Sequence, residues 1–437
     1  MGLHAVVLAA GRGERLWPLT STRPKPLIPL PGGETVLSRL VRQLLAAPSV
    51  LGVTVVVSPS SADLVRKELE KVGVPVQLVV QEEQLGTGHA ALVGLQSLPR
   101  GVDEVLIVNG DVVLESSDVR RLAEMEGEAV LSAREEKPWE FGVMRLNGNF
   151  CLEEIVEKPS PGNAPSNYVN VGAYKLRFED LYEELKKLQP SARGEYEITD
   201  AVSRLSKRRC VKVIVAEEGW VDVGRPWDLV RAYYMVLRER LAGYEALVEG
   251  EVAPSAEVRG PVYISRNAVV HSYSIIEGPA WIEGEVGPFA RIRPYTFMLR
   301  GSKAGTHTEL KSSILMENAK VPHLNYVGDS VLGEQVNMGA GAVTANLRFD
   351  HATIKVTLKG KRVDTGLRKL GAIIGGYAQI GVNVSILPGI RIGAWSWIYP
   401  GLTVNKDVPD CVMAVPGPKG EIEFRDITER VECRRNP

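Results

Sequence analysis

An aliphatic residue recurs at every sixth position through most of the C-terminal half of the chain. A helix that buries one face would need a period near 3.6, whereas hexads repeated this often are typical of a left-handed parallel β-helix. Three hexads make one coil, so residues one coil apart are expected to stack on the same face. A slip of two residues separates the first run from the second. The repeats are Val252, Val258, Ile264, Val270, Ile276 and Ile282; then Val286, Ile292 and Met298; then Ile374, Ile380, Ile386, Ile392, Ile398 and Val404.

The N-terminal half instead alternates strand-like and helix-like stretches, which predicts a mostly parallel sheet covered on both faces. The fold class is therefore α/β, with a Rossmann-like domain followed by the β-helix. We expect a nucleotide-binding domain at 1–235, a linker helix at 226–245, the β-helix at 246–417 and a charged tail at 418–437 without assignment. Predicted strands are His4–Leu8, Val53–Ser58, Val76–Gln81, Val105–Asn109, Ala129–Ala133 and Lys212–Ala216; predicted helices are Val36–Ala47, Ser61–Val72, Gly88–Leu98, Phe178–Leu188 and Pro226–Leu241.

Composition excludes several classes of function. The net charge is −1, so there is no electrostatic case for binding nucleic acid or a membrane surface. No apolar run approaches the roughly 18 residues of a spanning helix. The four cysteines lack metal-site spacing and suit free thiols in a reducing cytosol, which predicts a cytoplasmic protein.

The segment from Leu8 to Leu16 constrains function most. It follows an apolar first strand, and Gly11 and Gly13 let the backbone turn tightly and approach a ligand with its amide groups. Arg15 and Lys25 add positive charge at the same loop. The lack of a Gly-Lys-Ser/Thr sequence excludes a Walker loop. The loop therefore predicts a phosphate site.

Two carboxylates complete this candidate site. Asp111 follows the apolar strand that ends at Asn109, at the sheet edge where open α/β sheets bind ligands. Asp222 lies in the segment Trp220–Gly224. Each of these carboxylates, taken alone, could cap or form a turn.

The loop, with its downstream Pro24-Lys25-Pro26, resembles the signature of the sugar-1-phosphate nucleotidylyltransferases. The resemblance implies catalytic roles for Arg15 and Lys25 and an Mg²⁺ ion on Asp111 and Asp222. It assigns the nucleotide, UTP or dTTP, to Leu8, Ala10, Gly11, Gly13, Gln81, Gly86, Thr87 and Asp111, and the sugar phosphate to Gly142, Glu157, Lys158 and Asn170. Arg193–Asp200 resembles a further family segment or is a helix-capping turn. Many relatives have Thr or Ser in place of Glu14, so we expect that carboxylate to face solvent.

The β-helix carries more polar residues than assembly requires. Arg293 and Lys311 are one coil apart and could hold one phosphate from the same face. With the segment from His323 to Asp329 they resemble the acetyltransferase half of the bifunctional glucosamine-1-phosphate acetyltransferases/N-acetylglucosamine-1-phosphate uridylyltransferases. The resemblance implies that His323 is the general base. It assigns the amino-sugar phosphate to Arg293, Lys311, Tyr326, Asn337, Asn346 and Lys355, and acetyl-CoA to Ala340 and Gly376.

Residues 349–370 interrupt the hexads with a cluster of basic side chains. The insertion could form a solvated hairpin or clamp the phosphates of coenzyme A. With its thymidylyltransferase-like N-terminal signature and this insertion, the chain resembles the archaeal bifunctional sugar-1-phosphate nucleotidylyltransferase/acetyltransferases. The hexads resemble those of the hexapeptide-repeat proteins, which implies a trimer.

The resulting hypothesis is a two-site enzyme of nucleotide-sugar biosynthesis. One site acetylates glucosamine-1-phosphate, or galactosamine-1-phosphate, and the other couples N-acetylglucosamine-1-phosphate or glucose-1-phosphate to UTP or dTTP. Two alternatives stay open: a nucleotidylyltransferase whose β-helix only oligomerises or regulates, and a non-enzymatic scaffold.

Overall fold

The chain divides into two units. The computed structural model describes residues 2–71, 73, 76–191, 194–217 and 219–433. The first unit contains the residues up to Arg12, then Lys25–Leu27 and Thr35–Val223. The second contains Gly13–Pro24, Ile28–Glu34 and the residues from Gly224 on.

A mixed sheet forms the centre of the first unit. Its order is β10-β9-β11-β6-β1-β4-β5, with β8 between β11 and β12. β1 is parallel to β4 and β6, and β11 is antiparallel to β6. The strands that precede the β-helix, in chain order, are β1 Leu3–Leu8, β2 Pro29–Leu30, β3 Glu34–Thr35, β4 Val50–Val57, β5 Gln77–Val80, β6 Glu104–Asn109, β7 Val112–Leu114, β8 Ala129–Arg134, β9 Gly142–Leu146, β10 Leu152–Glu157, β11 Tyr168–Arg177, β12 Lys212–Val215 and β13 Trp220–Asp222.

Helices cover this sheet, and apolar side chains fill two cores on its faces. The first helix begins at a capping box, in which Ser38 N donates to Thr35 Oγ1 at 3.1 Å and Thr35 N donates to Ser38 Oγ at 2.8 Å. The helices are α1 Val36–Leu45, α2 Ala62–Glu70, α3 Thr87–Gln96, α4 Ser116–Glu124, α5 Phe178–Lys186, α6 Ile198–Ser206 and, in the second unit, α7 Leu229–Arg240. Five predicted helices match, although Val72, the last residue of one, lies outside the described residues. We did not predict α4, α6 or β9–β11.

The second unit is built around a left-handed parallel β-helix. Its short strands form three sheets, here called faces A, B and C. Neighbouring strands are parallel from coil to coil, and only the last strand of face B, Ile422–Asp426, is antiparallel to the strand before it. Face A contains Ala246–Val248, Val262–Ile264, Ala280–Ile282, Thr296–Met298, Ile314–Leu315, Val331–Leu332, Ile373–Ile374 and Arg391–Ile392. Face B contains Glu251–Val252, Val269–Val270, Glu285–Val286, Lys303–Thr306, Lys320–His323, Asn337–Met338, Gln379–Ile380, Trp397–Ile398, Val412–Pro416 and Ile422–Asp426. Face C contains Glu257–Arg259, Ile275–Glu277, Arg291–Ile292, Glu309–Lys311, Tyr326–Gly328, Val343–Thr344, Ser385–Ile386 and Thr403–Val404.

The predicted hexads form the core of these coils. From Ile264 onward every hexad residue is buried, and Val252 and Val258 pack partly buried against the same core. The slip of two residues is a short coil, because Val270 pairs with Val286 and Ile282 with Met298. The fold class predicted from the sequence is confirmed.

The basic insertion forms an antiparallel hairpin. Lys355–Leu358 pairs with Lys361–Asp364, between a face C strand and the next face A strand. One side of the hairpin buries Ile354, Val356 and Leu358. Every residue of Lys361–Asp364 is exposed. The solvated hairpin that we considered from the charge pattern is therefore present.

The prediction of free thiols is wrong. Cys151 bonds Cys210, and Cys411 bonds Cys433. An isolated β-bridge between Cys151 and Lys212 lies next to the first disulfide, whose Cα atoms are 5.2 Å apart. Near the second disulfide, the Ile427 N–H donates to the Cys411 carbonyl and holds the C-terminal segment against the last coil. Both Cα separations suit a disulfide. The sequence could not show these pairs, because folding alone makes them neighbours.

Among the described residues, no helix has the length and hydropathy that a bilayer crossing requires.

Two candidate active sites

The first candidate site gathers Lys25 and two aspartates in the first unit. The Lys25 side chain is almost fully buried, and its Nζ contacts Asp111 Oδ2 and lies 3.8 Å from Asp222 Oδ1. β7 pairs with β13, and the Val223 N–H donates to the Asp111 carbonyl at 2.9 Å, so the two aspartates lie side by side. One ammonium therefore neutralises part of the charge of both carboxylates.

The two carboxylates fit a magnesium ion that is shared with substrate. Their side chains keep 32% and 26% exposure, so both are accessible to ligands. Among the described residues no group of three or more metal-ligating side chains occurs. Mg²⁺ usually binds one or two carboxylates and completes its octahedron with water and substrate phosphates. Asp111 and Asp222 could hold the ion in that manner.

The start of the glycine loop is open. Leu8 ends β1, and its carbonyl accepts from Gly110 N at 2.8 Å; Ala10 is buried beside it. A Cβ at Gly11 would meet no atom within 4 Å, so space remains for a ligand. Gly13 has a positive φ of 67°.

Gly13 begins the segment of the second unit that contains Arg15. Arg15 lies in the short 3-10 turn Glu14–Leu16. The Glu14 carboxylate pairs with Lys359 of the hairpin at 2.8 Å and its side chain is 46% exposed. Its charge is therefore partly compensated by Lys359.

Gln81 and the turn after it lie together. Gln81 follows β5 with a buried side chain, and its amide contacts His89 Nδ1 at 2.9 Å and Gly86 O at 3.4 Å. Gly86 has φ 110°, and a Cβ there would lie 2.6 Å from the Tyr196 carbonyl. Thr87 begins α3 and accepts from Ile198 N at 3.2 Å. The turn is thus fixed by tight packing in which only glycine fits.

The residues predicted to hold the sugar phosphate form a second group. Gly142 pairs with Glu157, and a Cβ on Gly142 would lie 3.1 Å from the Glu157 carboxylate. Lys158 follows with a positive φ of 43°. On β11, the Asn170 side chain donates to the Tyr174 hydroxyl at 2.6 Å and accepts from Gly172 N at 3.1 Å.

The segment Arg193–Asp200 contacts a residue that is predicted to bind the sugar phosphate. Arg193 itself lies outside the described residues. Ile198 begins α6, and the Thr199 hydroxyl donates to Glu157 Oε1 at 3.1 Å. The sequence marked the segment that contains Thr199 but gave this hydroxyl no partner.

A second candidate site lies on face C of the β-helix. Arg293 and Lys311 are next to each other in register, because Ile292 pairs with Leu310. Each cation has a carboxylate partner: Arg293 Nη1 lies 2.9 Å from Glu309, and Lys311 Nζ 3.0 Å from Asp329. Stacking of successive coils therefore concentrates alternating charges on one surface.

Tyr326 and Asn346 complete this group. Asn346 Nδ2 donates to the Tyr326 hydroxyl at 3.2 Å and also contacts Asp329. Burial and the nearby carboxylates raise the pKa of Tyr326, although the bond from Asn346 opposes the shift. The phenol therefore stays a neutral hydrogen-bonding group. The sequence motif marked the cations but gave no role to Glu309 or Asp329.

His323 and Asn337 lie on face B. His323 ends its strand, is exposed, and its backbone N–H donates to the buried Asn325 side chain at 3.0 Å. Asn337 pairs with Lys320 of the preceding coil. His323 lines an open groove of about 940 Å³. The groove is also lined by His271, Arg300, Lys303 and Lys320, with Glu283 and Glu285 among them.

The remaining predicted residues lie in the coils that follow. Ala340 accepts from Asn383 N at 2.9 Å. A Cβ on Gly376 would lie 2.6 Å from the carboxyl carbon of Glu334. Lys355 is an exposed residue of the hairpin. These contacts do not join the three residues to the face C group.

Known proteins resemble the chain along most of its length. The nucleotidyl transferase family model matches residues 4–239. A Sulfurisphaera tokodaii protein named bifunctional sugar-1-phosphate nucleotidylyltransferase/acetyltransferase is 39% identical over 409 residues, which is 93% of this chain and 98% of that protein. The bifunctional protein GlmU of Methanocaldococcus jannaschii is 37% identical over 408 residues, 93% of this chain and 96% of its own. A UDP-glucose pyrophosphorylase structure covers 55% of this chain and 100% of its own at 21% identity, with a TM-score of 0.49.

Proposed function

The chain belongs to the nucleotidyl transferase family and, within it, to the bifunctional nucleotidylyltransferase/acetyltransferases, and from this premise we propose how its two sites divide the reactions. The chain is an enzyme with both activities. The face C group with His323 acetylates glucosamine-1-phosphate, or galactosamine-1-phosphate, from acetyl-CoA. The Lys25 site then transfers a uridylyl or thymidylyl group from UTP or dTTP to N-acetylglucosamine-1-phosphate or glucose-1-phosphate.

The contact of Lys25 with Asp111 and Asp222 supports nucleotidyl transfer most strongly. An oxygen of the sugar-1-phosphate attacks the α-phosphorus in line, a new P–O bond forms, and pyrophosphate leaves. Lys25 would turn from the carboxylates to the phosphates as they bind. Bound Mg²⁺ would supply further positive charge against the phosphoryl oxygens. Arg15 would stabilise the leaving pyrophosphate.

The group of Arg293, Lys311 and Tyr326 supports amino-sugar phosphate binding. The two cations would exchange their carboxylate partners for the substrate phosphate. The free amine then attacks the thioester carbonyl of acetyl-CoA, the C–S bond breaks, and His323 takes the proton that the amine loses. The products are the N-acetyl sugar phosphate and coenzyme A, whose thiolate takes up a proton.

The proposed assembly is a homotrimer, and an exposed ladder of side chains on one edge of the β-helix supports contact between copies of the chain. Tyr273 stacks on Phe289 at 5.1 Å, and Phe289 stacks on His307 at 5.4 Å. Tyr273, Phe289 and Leu324 are 60%, 49% and 64% exposed. Exposed apolar patches of this kind mark protein interfaces. We define the aromatic ladder as the rings of Tyr273, Phe289 and His307 together with Leu324 of the following coil. We assign this ladder to contact between copies of the chain.

The proposed location is the cytoplasm, where nucleoside triphosphates and acetyl-CoA are made. Two disulfides are unusual for a reducing compartment, although intracellular proteins of hyperthermophiles do contain them. The proposed substrates are all small molecules.

A nucleotidylyltransferase with a merely structural β-helix is not favoured. The relatives that match nearly the whole chain are named for both activities. A β-helix kept only for assembly would also have no need of Arg293, Lys311 and Tyr326 on one surface.

A product assay tests the proposal. The purified chain is supplied with UTP or dTTP, with each of the four candidate sugar-1-phosphates, and with or without acetyl-CoA, in the presence of Mg²⁺. We expect nucleotide sugars and pyrophosphate from the neutral sugars, and N-acetylated products from the amino sugars only with acetyl-CoA. Absence of acetylation of both amino sugars would reject the second activity, and absence of pyrophosphate with every pair would reject the first.

A further inference from the structure

The segment Gly13–Pro24, here called the signature loop, folds as part of the second unit. One of its attachments is Asp410, near the last coils. Trp17 Nε1 donates to Asp410 Oδ2 at 3.1 Å, and Ser21 Oγ donates to the same oxygen at 2.9 Å. The other oxygen of Asp410 accepts from Ala394 N at 2.6 Å. The carboxylate is thus fixed on the coil and fixes two residues of the loop.

A second attachment lies at the end of the loop. Arg23 pairs with Glu317 at 3.2 Å and with Glu334 at 3.2 Å. Burial opposes the charge of Arg23, but the two glutamates outweigh it and raise the pKa of Arg23. Gly376 permits this arrangement, because a Cβ there would collide with the Glu334 carboxylate.

An aromatic contact supports the first attachment. The Arg391 guanidinium lies over the Trp17 ring, 4.5 Å from its centre, and pairs with Asp407 at 2.8 Å. Trp17 is therefore held at its ring face by Arg391 and at its N–H by Asp410.

The loop has little regular structure of its own that could replace these contacts. It contains only the 3-10 turns Glu14–Leu16 and Leu19–Ser21. The side-chain attachments therefore act together with a few local backbone hydrogen bonds and the buried Leu16 and Leu19 to fix the backbone that carries Arg15. The chain continues from Pro24 directly into Lys25.

We infer that Asp410, a residue of the β-helix unit, is a positioning residue for nucleotidyl transfer, because it holds Trp17 and Ser21 of the loop that presents Arg15. This inference rests on the proposed role of Arg15 toward the triphosphate. In this inference Asp410 acts through the loop that it holds and not on the substrate. The β-helix then serves both reactions: one through its own surface, and the other through the loop that it holds.

The consequence is a selective loss of nucleotide affinity. A loop released from Asp410 must be ordered again whenever the triphosphate binds, and that ordering reduces affinity. Hydrogen bonds to a charged group contribute enough that losing one corresponds to roughly a tenfold change in an equilibrium constant. We therefore expect KM for the nucleoside triphosphate to rise about tenfold. The KM for the sugar-1-phosphate and the acetyl-transfer kinetics should stay within about twofold, since neither depends on an ordered loop.

The test compares Asp410→Asn, Ser21→Ala and Trp17→Phe in the full-length chain. Trp17→Phe keeps a ring beneath Arg391 but removes the N–H donor. Ser21→Thr keeps the hydroxyl and should restore much of the affinity that Ser21→Ala loses. Glu421→Gln is the matched control, because its carboxylate accepts locally from Lys419 N at 3.0 Å in the same C-terminal region. Each variant is assayed for KM and kcat with UTP and with dTTP, for acetyl transfer, and for Tm.

The inference predicts a higher KM for the nucleoside triphosphate in Asp410→Asn, Ser21→Ala and Trp17→Phe, and an unchanged KM in Glu421→Gln. The effects of Ser21→Ala and Asp410→Asn should be less than additive when combined, since both remove one bond. Wild-type triphosphate KM in Ser21→Ala and Trp17→Phe would overturn the inference, even if Asp410→Asn fails to fold. Equal loss of both activities would also overturn it. An inactive wild-type chain would instead reject the proposed function.

Discussion

The charged side chains of both sites occur in pairs. Lys25 contacts Asp111, Arg293 contacts Glu309, and Lys311 contacts Asp329. A phosphate that binds any of these cations must compete with a carboxylate already present. Binding therefore becomes an exchange of partners, which favours ligands that carry more negative charge than one carboxylate.

The face C group and His323 should affect different kinetic constants. Arg293→Ala should raise the KM for glucosamine-1-phosphate by about tenfold to a hundredfold, because it removes a charge-assisted contact to the phosphate. His323→Ala should lower the acetylation rate by roughly 10²–10⁴-fold, the usual contribution of a positioned general base. Steady-state kinetics at saturating acetyl-CoA separate the two constants. Unchanged acetylation in His323→Ala would show that His323 is a structural corner residue.

Glu283 should make folding stability depend on pH. Burial raises the pKa of this carboxyl above its ordinary 4.5, although hydrogen bonds from Trp281 and Gly32 oppose the shift. At pH values between the unfolded and the folded pKa, Glu283 therefore keeps a proton in the folded chain that it has lost in the unfolded chain. Its stabilising effect is full below about pH 4.5 and declines as pH rises through the folded pKa.

Glu283→Gln removes that titration but keeps an oxygen for both donors. Melting curves recorded between about pH 4 and pH 7 should show the wild-type chain losing stability relative to the variant as pH rises. A constant Tm difference across that range would contradict the assignment. Glu421→Gln, an exposed carboxylate in the same unit, is the control.

The β-helix strands were predictable from the sequence because they obey a simple period. Each hexad residue fills the same interior position, so the period alone assigns Ile374, Ile380 and Ile386 to the core. β9–β11 and the helices α4 and α6 were not predicted. Strand β11 is long and mostly buried, but its apolar pattern is interrupted by Asn170 and Gly172, where its pairing with β8 shifts register.

The aromatic ladder should mediate assembly. Phe289→Glu places a charge in the middle of the stack and should shift the chain from trimer toward monomer, because an unpaired charge at a contact is costly to bury. Light scattering at micromolar concentration gives the mass. Leu51→Glu, which changes a more exposed apolar residue on β4, should leave the trimer intact. A trimeric Phe289→Glu would show that the ladder is not the contact.

Contacts between distant parts of the chain were beyond sequence reasoning. Trp17 and Asp410 are separated by 393 positions, and Cys151 and Cys210 by 59. No local pattern marks such pairs, since only the completed fold brings them together. The glycine loop could be recognised from its sequence, but its attachment to the coils could not. For the same reason, the motifs named the cations of face C without their carboxylate partners.

Magnesium should be needed by one reaction alone. Asp111 and Asp222 are the proposed ligands, and acetyl transfer uses no group that requires a metal. Excess EDTA should therefore abolish nucleotidyl transfer, with recovery on adding Mg²⁺, while acetylation continues at its original rate. Nucleotidyl transfer that persists after exhaustive chelation would contradict the role of the two aspartates.

The most direct test of two separate sites is to measure both reactions in two variants of the full-length chain, Asp111→Asn and His323→Ala. Asp111→Asn removes a carboxylate of the proposed metal pair but keeps the shape of the side chain. We predict that Asp111→Asn loses nucleotidyl transfer by at least about a hundredfold and acetylates normally, while His323→Ala shows the reverse. Parallel loss of both reactions in either correctly folded variant would contradict the account.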